Sequence, residues 1–587
     1  MNGLPAGTVA AAIFDAGRCP AAAPAFLLAD GAAISFAEAA SHVARLAGHL
    51  RRIGVQPSSR IAFAVPRGPL GVIGFLAASS VGVCCPFNPR LKAEEWAAAC
   101  ANMGVAFLLD GLEGPAAATA AKALGLPSAT VSLRGHDLVV AGEPCGPSAA
   151  PGSPGEFALL VQTSGTTSRP KLVALSHANV LAATGAIGGA FGLAPGDLCL
   201  NPMPLHHVHG LLSAAVASLL AGSAVHCAEG FAPAAFETLY RDLAPTWFTA
   251  SPAMHLALRD HFEHAGTRPA PGRLRFFRSS SAPLPAAAIG ALEALFDAPL
   301  IETYGLSETA SMICSNPLPP AERKRGSVGF AFGAEIRIVD ATGATCPPDV
   351  EGEIAVRGPS VITAYLDNAA PGSFAAGWLL TGDVGRLDAD GYLTIVGRTK
   401  ELIKRGGLSV YPSEVDEALA ALPTVAEAVT FAVPHPTLGE DVVSAVVLRP
   451  GATQSGAALR AELSGRLSTY KIPSLVLVTP GFRRNETGKI VRRDVAAALE
   501  DRLQPQGLPP ANEAERALLR VWRGVLGRDD IGVTDNLFLL GGDPLRAERA
   551  AALIAADGIW RPTLKDLLAA PTVREQAARA DRHGGQA

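Results

Sequence analysis

The chain has 587 residues, 49% of them hydrophobic and 17% charged, with a formal net charge of −4. That composition predicts a folded protein of two to four domains and excludes a disordered chain. The near-neutral balance leaves no electrostatic footprint for nucleic acid or an anionic membrane, and nine cysteines without a C-x-x-C pair point to reduced thiols in a cytoplasmic setting rather than a disulfide framework or zinc site.

Residues 1–140 alternate amphipathic stretches with short apolar runs such as RIAFAV (60–65), the pattern of α/β layering. No basic segment follows Met1, and Asp15, Arg18 and Pro20 interrupt the first apolar run, so no signal peptide is expected. Two stretches nearly free of charge, 70–87 and 210–228, barely reach bilayer length and carry small and hydroxyl residues. Buried helices are expected there. The Pro/Gly/Ser-rich stretch 142–156 reads as a surface loop. It leads into FALLVQ (157–162), an uninterrupted apolar run typical of a buried strand.

Directly after that strand comes TSGTTSRPK (163–171). Small hydroxyl residues and a glycine let backbone N–H groups and side-chain hydroxyls converge on an anion, and Lys171 adds a mobile positive charge. The spacing is not that of the G-x-x-x-x-G-K-[ST] loop. Further along, MPLHHVHGLL (203–212) carries three histidines in four residues. Read as a strand, its neighbouring residues point to opposite faces, and no Cys or carboxylate joins them, so a metal site is not expected. RFFRSSSAPL (275–284), YGLSE (304–308), TGDVG (381–385), GRTKELIKRGG (397–407) and NETGKIVRR (485–493) follow in that order. Taken singly, Glu308 and Asp383 read equally well as caps or surface carboxylates, and Arg398 and Lys489 as solvated charges.

As an ordered set these motifs resemble the AMP-forming adenylating enzymes: acyl- and aryl-CoA ligases, peptide-synthetase adenylation domains and luciferases. The resemblance implies a large α/β adenylating domain over 1–397 and a small, mobile α+β domain over 398–499. It also implies activation of a carboxylic acid with ATP and Mg²⁺, followed by transfer to a thiol. In those terms Thr163, Ser164, Gly165, Thr166, Thr167 and Lys171 grip the β- and γ-phosphates, and Glu308 with Thr166 holds Mg²⁺. Ser281, Ala282 and Pro283 face Thr303, Tyr304 and Gly305 across the adenine, with Ser307 alongside. Asp383 accepts from the ribose, Arg398 reaches ribose or phosphate, and Lys489 bridges the carboxylate and the α-phosphate. Lys400 takes the hinge position, while Lys404, Gly406 and Gly407 border the thiol channel.

For the acid pocket, His206, His207 and Val208 match the family's gate, with His207 as its catalytic or gating residue. Val208 stands where amino-acid-activating relatives carry an aspartate, so the implied acid has no ammonium group. The S-R-P-K ending, P-L-x-H-V-H-G-L, RFFRSSSAPL and MICSNPLP (312–319) are similar to oxalate–CoA ligases, although Leu172 replaces a glycine. Arg278 with Ser279, Ser280 and Ser281 could serve a second carboxylate, as in oxalate or malonate; equally, Arg278 could be a structural salt-bridge partner.

A polar, proline-bearing linker is read over 500–511. Residues 512–582 resemble a carrier-protein domain, with DNLFLLGGD (535–543) as its heart, LLRVWRGVLG (518–527) as its first helix and TLKDLLAAPTV (563–573) as its last. The family's phosphopantetheine-bearing serine would follow Asp543, but that position is Pro544, and no serine occurs after Ser474. Proline fits the first turn of a helix yet has no hydroxyl. The carrier-like domain is therefore read as degenerate, left to dock a partner or to pack against the ligase. The acceptor is CoA or, alternatively, an external phosphopantetheinyl carrier protein; a non-catalytic scaffold is the third reading. No nucleic acid or membrane partner is expected.

Overall fold

A computed structural model of the chain describes residues 4–15, 17, 20–111, 115–134, 136–141, 155–163, 171–366, 370–485 and 489–584. The chain divides into two compact units, Met1–Ile395 and Val396–Ala587.

In the first unit the expected α/β layering is present. Among the described residues a seven-stranded sheet is centred on Arg60–Ala64 and Val83–Phe87, paired in parallel, with Phe157–Thr163 and Lys171–Ser176 as an antiparallel pair at one edge. Both faces of its central strands are buried, which is why they read as unbroken apolar runs. A nine-stranded sheet carries five adjacent strands, Leu300–Leu306, Phe276–Ser279, Trp247–Ala250, Leu198–Asn201 and Ala224–Cys227, in parallel register. Some covering helices bury one apolar stripe, while Pro69–Ser79 is buried all round. In Phe36–Arg52, for example, Phe36, Ala39, Ala40, Val43, Leu46, Ala47 and Leu50 are buried. Ser35 and Glu38 close that helix's N-terminus as a capping box, and Arg51 and Arg52 sit at its negative C-terminal end. A third, five-stranded sheet includes Glu335–Val339, Gly352–Arg357 and Trp378–Leu387.

The two charge-poor stretches are buried, but neither is a single helix. The first divides into a helix, Pro69–Ser79, and a strand, Val83–Phe87; the second runs as a π-helix, His209–Val216, and a short α-helix, Ala217–Leu220, before the strand Ala224–Cys227. Glycines at 82 and 222 fall at the breaks. Among the described residues no helix is long and apolar enough to cross a membrane, and the described cysteines are free thiols.

The second unit contains a small α+β fold followed by a helical module. Its five-stranded sheet pairs the long hairpin Val425–His435 and Gly439–Leu448 with Ile403–Arg405, Leu408–Val410 and Leu475–Val478. The segment read as a linker opens with a helical turn, Glu500–Leu503, and its Gln506 and Gly507 N–H groups donate to the Asp535 carboxylate. The carrier-like module packs Glu513–Leu526, Pro544–Ala556, Leu564–Ala569 and Val573–Gly584 around Leu518, Trp522, Leu537, Ile554 and Val573. Its last helix is Val573–Gly584, not the 563–573 stretch, because Pro571 ends one helix and Thr572 caps the next through Glu575. Pro544 is the first residue of its helix, and the Asp543 side chain accepts from the Arg546 N–H at 2.8 Å.

Candidate active site

Ser279–Ser281, Thr303 and Glu308 lie at or just past the ends of the adjacent parallel strands Phe276–Ser279 and Leu300–Leu306, whereas Thr163, Lys171 and Asp383 belong to antiparallel pairs. Strand C-termini leave backbone groups and loop side chains free to converge, which is the usual location of ligand crevices in such sheets. Thr163 and Lys171 are cross-strand partners at the mouth of the anion-loop sequence. Ser164, Gly165, Thr166 and Thr167 lie outside the described residues. Lys171 donates from Nζ to the Tyr365 hydroxyl at 3.0 Å and approaches Ser373 Oγ at 3.5 Å. The Tyr365 hydroxyl in turn donates to Glu308 Oε1 at 2.8 Å. Burial, then the neighbouring Glu308 carboxylate, push the Tyr365 phenol upward, so it stays protonated and bridges a cation and an anion. Tyr365 is a member of the site that the motifs did not point to; its 57-residue separation from Glu308 explains why.

Glu308 sits on the short 3₁₀ turn Ser307–Thr309 that follows Leu300–Leu306. Only glycine can occupy position 305, since a Cβ there would stand 1.6 Å from the Ser311 carbonyl oxygen. Next to it, the buried Tyr304 hydroxyl donates to Asp383 Oδ2 at 2.6 Å, and burial followed by that carboxylate raises the phenol well above its ordinary range. Thr303 Oγ1 donates to the Ser279 carbonyl at 3.1 Å, joining two neighbouring strand ends. Ser281 adopts φ +79, an unfavourable conformation for a residue with a side chain, just before Ala282 and Pro283.

A second cluster surrounds Arg278, whose side chain is completely buried. Its Nε donates to Thr249 Oγ1 at 3.0 Å and its Nη2 to Ser213 Oγ at 2.9 Å, while Nη1 lies 3.6 Å from Met312 Sδ. The Phe191 and Trp247 rings lie 5.9 and 5.7 Å from its guanidinium carbon. Among the described residues no carboxylate lies within salt-bridge distance of Arg278, so the structural ion-pair alternative is set aside. Burial brings its pKa down to about 10, which leaves it charged at neutral pH. Ser279 Oγ is buried with no hydrogen-bond partner among the described residues, and Ser280 is half-buried.

His209 joins this cluster, with His207 an electrostatic neighbour of its ring. Its Nε2 is 2.6 Å from Thr249 Oγ1 and its Nδ1 2.9 Å from Ser281 Oγ. Burial, then Arg278, hold the ring neutral, so one nitrogen donates and the other accepts. His206 and His207 are half-buried, with ring centroids 4.3 Å apart. The opposite-face argument for these histidines does not hold, because 203–208 form a turn into the π-helix rather than a strand. Val208 packs on the apolar core. Among the described residues no group of three or more His, Cys, Asp or Glu is placed to hold a metal ion.

The remaining predicted residues belong to the second unit. Arg398 ends the strand Leu393–Arg398, and Lys400 is exposed on the turn Thr399–Glu401. Lys404 Nζ donates to Ser409 Oγ at 2.8 Å. Gly406 and Gly407, at φ +57 and +85, form the two-residue turn between Ile403–Arg405 and Leu408–Val410, a conformation that favours glycine at both positions. The Lys489 and Asn485 backbones are clipped together: Lys489 N–H donates to Asn485 Oδ1 at 2.8 Å and Asn485 N–H to the Lys489 carbonyl at 2.9 Å. Arg492, also unforeseen, ties this segment to the turn Thr399–Glu401 and to the helix Pro412–Ala420, with Nε 2.9 Å from Glu401 and Nη1 2.6 Å from Asp416. The pair of arginines after G-K-I-V was its only sequence signal.

The family model for AMP-binding enzymes matches residues 14–366, that for the AMP-binding enzyme C-terminal domain 414–489, and that for the phosphopantetheine attachment site 516–580. The chain belongs to the AMP-binding enzyme family. An oxalate–CoA ligase of Arabidopsis thaliana is 37% identical over 458 residues, 76% of this chain and 89% of that protein. A sulfoacetate–CoA ligase of Cupriavidus necator is 38% identical over 388 residues, 65% of this chain and 73% of that protein. ATP-bound MatB from Rhodopseudomonas palustris superposes with a TM-score of 0.76 at 28% identity, over 85% of this chain and all of that one. The family member described here is an AMP-forming acid–thiol ligase.

Proposed function

We propose that this ligase activates a small, non-amino carboxylic acid carrying a second anionic group, in the size range of oxalate or malonate, and passes it to CoA. The supporting observation is Arg278: a buried, charged guanidinium held by hydroxyls and a thioether, with no carboxylate within ion-pairing distance among the described residues. A buried cation without a counter-ion is unfavourable, and an anionic ligand group relieves it. Ser281 and His209 join the same cluster through Thr249, Ser279 follows Arg278 on its strand with Ser280 next in sequence, and Val208 gives an ammonium group no partner. The two relatives above are named for oxalate and sulfoacetate, acids that each carry two anionic groups.

In the first half-reaction a carboxylate oxygen bonds to the α-phosphorus of ATP and pyrophosphate leaves. In the second, a thiol bonds to the acyl carbon and AMP leaves, with the thiol proton passing to solvent. Lys171 and the 163–167 loop (Thr163, Ser164, Gly165, Thr166, Thr167) would hold the β- and γ-phosphates. Tyr304 fixes Asp383 to receive the ribose hydroxyls, and Lys489 and Arg398 would neutralise charge around the α-phosphate. Glu308 fits Mg²⁺, a hard cation that takes one or two carboxylates together with substrate phosphates rather than an all-protein cage; Thr166 would be its second protein ligand. When bound, that ion neutralises charge developing on the phosphates. Tyr365 keeps the Glu308 carboxylate oriented until then. The free thiols fit a cytoplasmic setting.

CoA is favoured over a separate carrier protein as acceptor because these relatives are named CoA ligases, and Pro544 leaves the chain's own carrier-like module no hydroxyl for an arm. Acid-dependent pyrophosphate release, measured over a panel of mono- and dicarboxylic acids with and without CoA, tests the reading. Absence of release with every small acid refutes it, and acyl transfer only to an added carrier protein refutes the choice of CoA.

A further inference from the structure

Two loops hold the strand that ends in Gly406–Gly407. Arg405, the residue before the pair, is ion-paired to Asp441 at 2.8 Å. It donates to the Tyr470 and Ile472 carbonyls at 2.9 and 2.8 Å and to Ser474 Oγ at 2.7 Å. On the other side, the Gly406 N–H donates to the Leu438 carbonyl at 2.9 Å. A Cβ at 406 would stand 3.1 Å from Leu438 Cδ2, so the backbone of the turn lies close against the 435–439 hairpin. The strand's position therefore depends on residues 470–474 and 435–439.

The carrier-like module grips both. Asn536 Nδ2 donates to the Ser474 carbonyl at 2.7 Å, while its Oδ1 accepts from the Phe538 and Leu539 N–H groups at 3.1 and 3.3 Å and so fixes its own loop. His435 Nε2 lies 2.6 Å from the Phe538 carbonyl. A carbonyl only accepts, so the ring carries its proton on Nε2 and its Nδ1 accepts from the Leu438 N–H at 3.0 Å. An unbroken relay results, from Phe538 through His435 and Leu438 to Gly406. Leu539 packs among Val429, Phe431, Val443 and Leu477, and Arg460 donates to the Leu568 carbonyl further along the same seam.

We propose that the D-N-x-F-x-x-G-G-D loop, Asp535 to Asp543, is a positioning element for the thiol-accepting half-reaction, setting the Gly406–Gly407 backbone along which the pantetheine thiol of an external acceptor passes. Asn536 and His435 are the positioning residues. The loop acts on the enzyme's own small domain instead of presenting an arm. The proposal rests on the reading of Gly406–Gly407 as the border of the thiol channel.

The test uses the full chain carrying Asn536→Ala together with His435→Asn, the latter keeping an acceptor for the hairpin amides while losing its reach to Phe538. Hydrogen exchange of the peptide covering 403–410 should quicken roughly tenfold, since protection falls with the interactions that hold an amide closed. Acid-dependent pyrophosphate exchange should stay within about twofold of the parent while the KM for CoA rises roughly tenfold, about what the loss of one net hydrogen bond produces. Unchanged exchange at 403–410 overturns the mechanical link whichever acid the enzyme uses. Faster exchange with an unaltered KM for CoA, or equal losses in both half-reactions, overturns the positioning role. Failure of the parent enzyme to consume any acid refutes the functional reading instead, and the exchange result still decides the link.

Discussion

Replacing Arg278 with methionine separates a ligand-binding cation from a structural one. The guanidinium is held at about 10 by burial, against an ordinary value of about 12.5, and at about 1.4 kcal/mol per pH unit that difference is ~3 kcal/mol. Because the side chain is 0% exposed, solvent does not discount this penalty. The sign follows from a depressed folded-state pKa: the penalty is complete below about pH 10 and disappears only as pH rises through the ordinary guanidinium range. At neutral pH it is therefore present in full. Removing Arg278 leaves its partners satisfied, since Thr249 keeps His209 at 2.6 Å and Ser213 Oγ still donates to the His209 carbonyl at 2.9 Å. Methionine of similar length fills most of the volume, so the urea midpoint of Arg278→Met should be unchanged or higher, by up to ~3 kcal/mol in unfolding free energy. Activity should move the other way. A hydrogen bond to a charged group contributes about 1.5–3 kcal/mol, so kcat/KM for the dicarboxylic acid should fall roughly 10- to 100-fold with little change for acetate. A midpoint lowered by more than about 2 kcal/mol marks Arg278 as a strut whose loss strands buried groups, and refutes the reasoning. So do equal losses with acetate and the diacid.

Lys489→Ala should reduce adenylation by at least about 100-fold, the size of a lost charge-stabilising contact, and the reverse thioester step far less; equal losses would contradict a role for Lys489 confined to the adenylation half-reaction. Tyr365→Phe removes the hydroxyl between Lys171 and Glu308. Stability should change by no more than about 1 kcal/mol, while the Mg²⁺ concentration needed for pyrophosphate release shifts; an unaltered Mg²⁺ titration would reduce Tyr365 to packing. Burial, with Glu293 nearby, pushes the Glu302 carboxyl up to about 7. A raised acid carries no penalty below the ordinary carboxylate range and loses stability as pH rises from there through the folded value, so Glu302→Gln should flatten the urea midpoint between roughly pH 4 and 7. Incubation with a phosphopantetheinyl transferase and CoA should leave the intact mass unchanged, and a gain of one pantetheine arm would overturn the reading of Pro544.

The sequence carried the fold because each motif is flanked by a local signal. FALLVQ announces a strand buried on both faces, and the structure has Phe157–Thr163 there. Where an element depended on how apolar residues were divided, the pattern fell short. The charge-free runs 70–87 and 210–228 are each part helix and part strand, since a buried apolar run has no polar face to reveal its period. The site shows the same limit. Glu308, Asp383 and Lys171 stand inside recognisable motifs, but their partners Tyr365, Tyr304 and Ser373 come from 57, 79 and 202 residues away respectively. His209 was visible as one of three histidines, yet nothing local distinguished it from His206 and His207. That distinction comes from the π-helix, which turns His209 inward to Thr249 and Ser281.

In the carrier-like stretch the chemistry and the architecture of one motif come apart. Asn536 fixes the backbone of its own loop and bonds to Ser474; Phe538 sits in the module's core and offers its carbonyl to His435. The Gly542 N–H donates to the Leu537 carbonyl, and Asp543 caps the helix that Pro544 begins. Every one of these functions is structural and none needs a hydroxyl at position 544. Pro544 stands where the resemblance implies the arm-bearing serine, and the family model for the phosphopantetheine attachment site matches 516–580 around it. Proline at the first helical position leaves the cap, the turn and both hydrogen bonds to the small domain in place, so the bracing role proposed for the loop does not depend on which residue stands at 544.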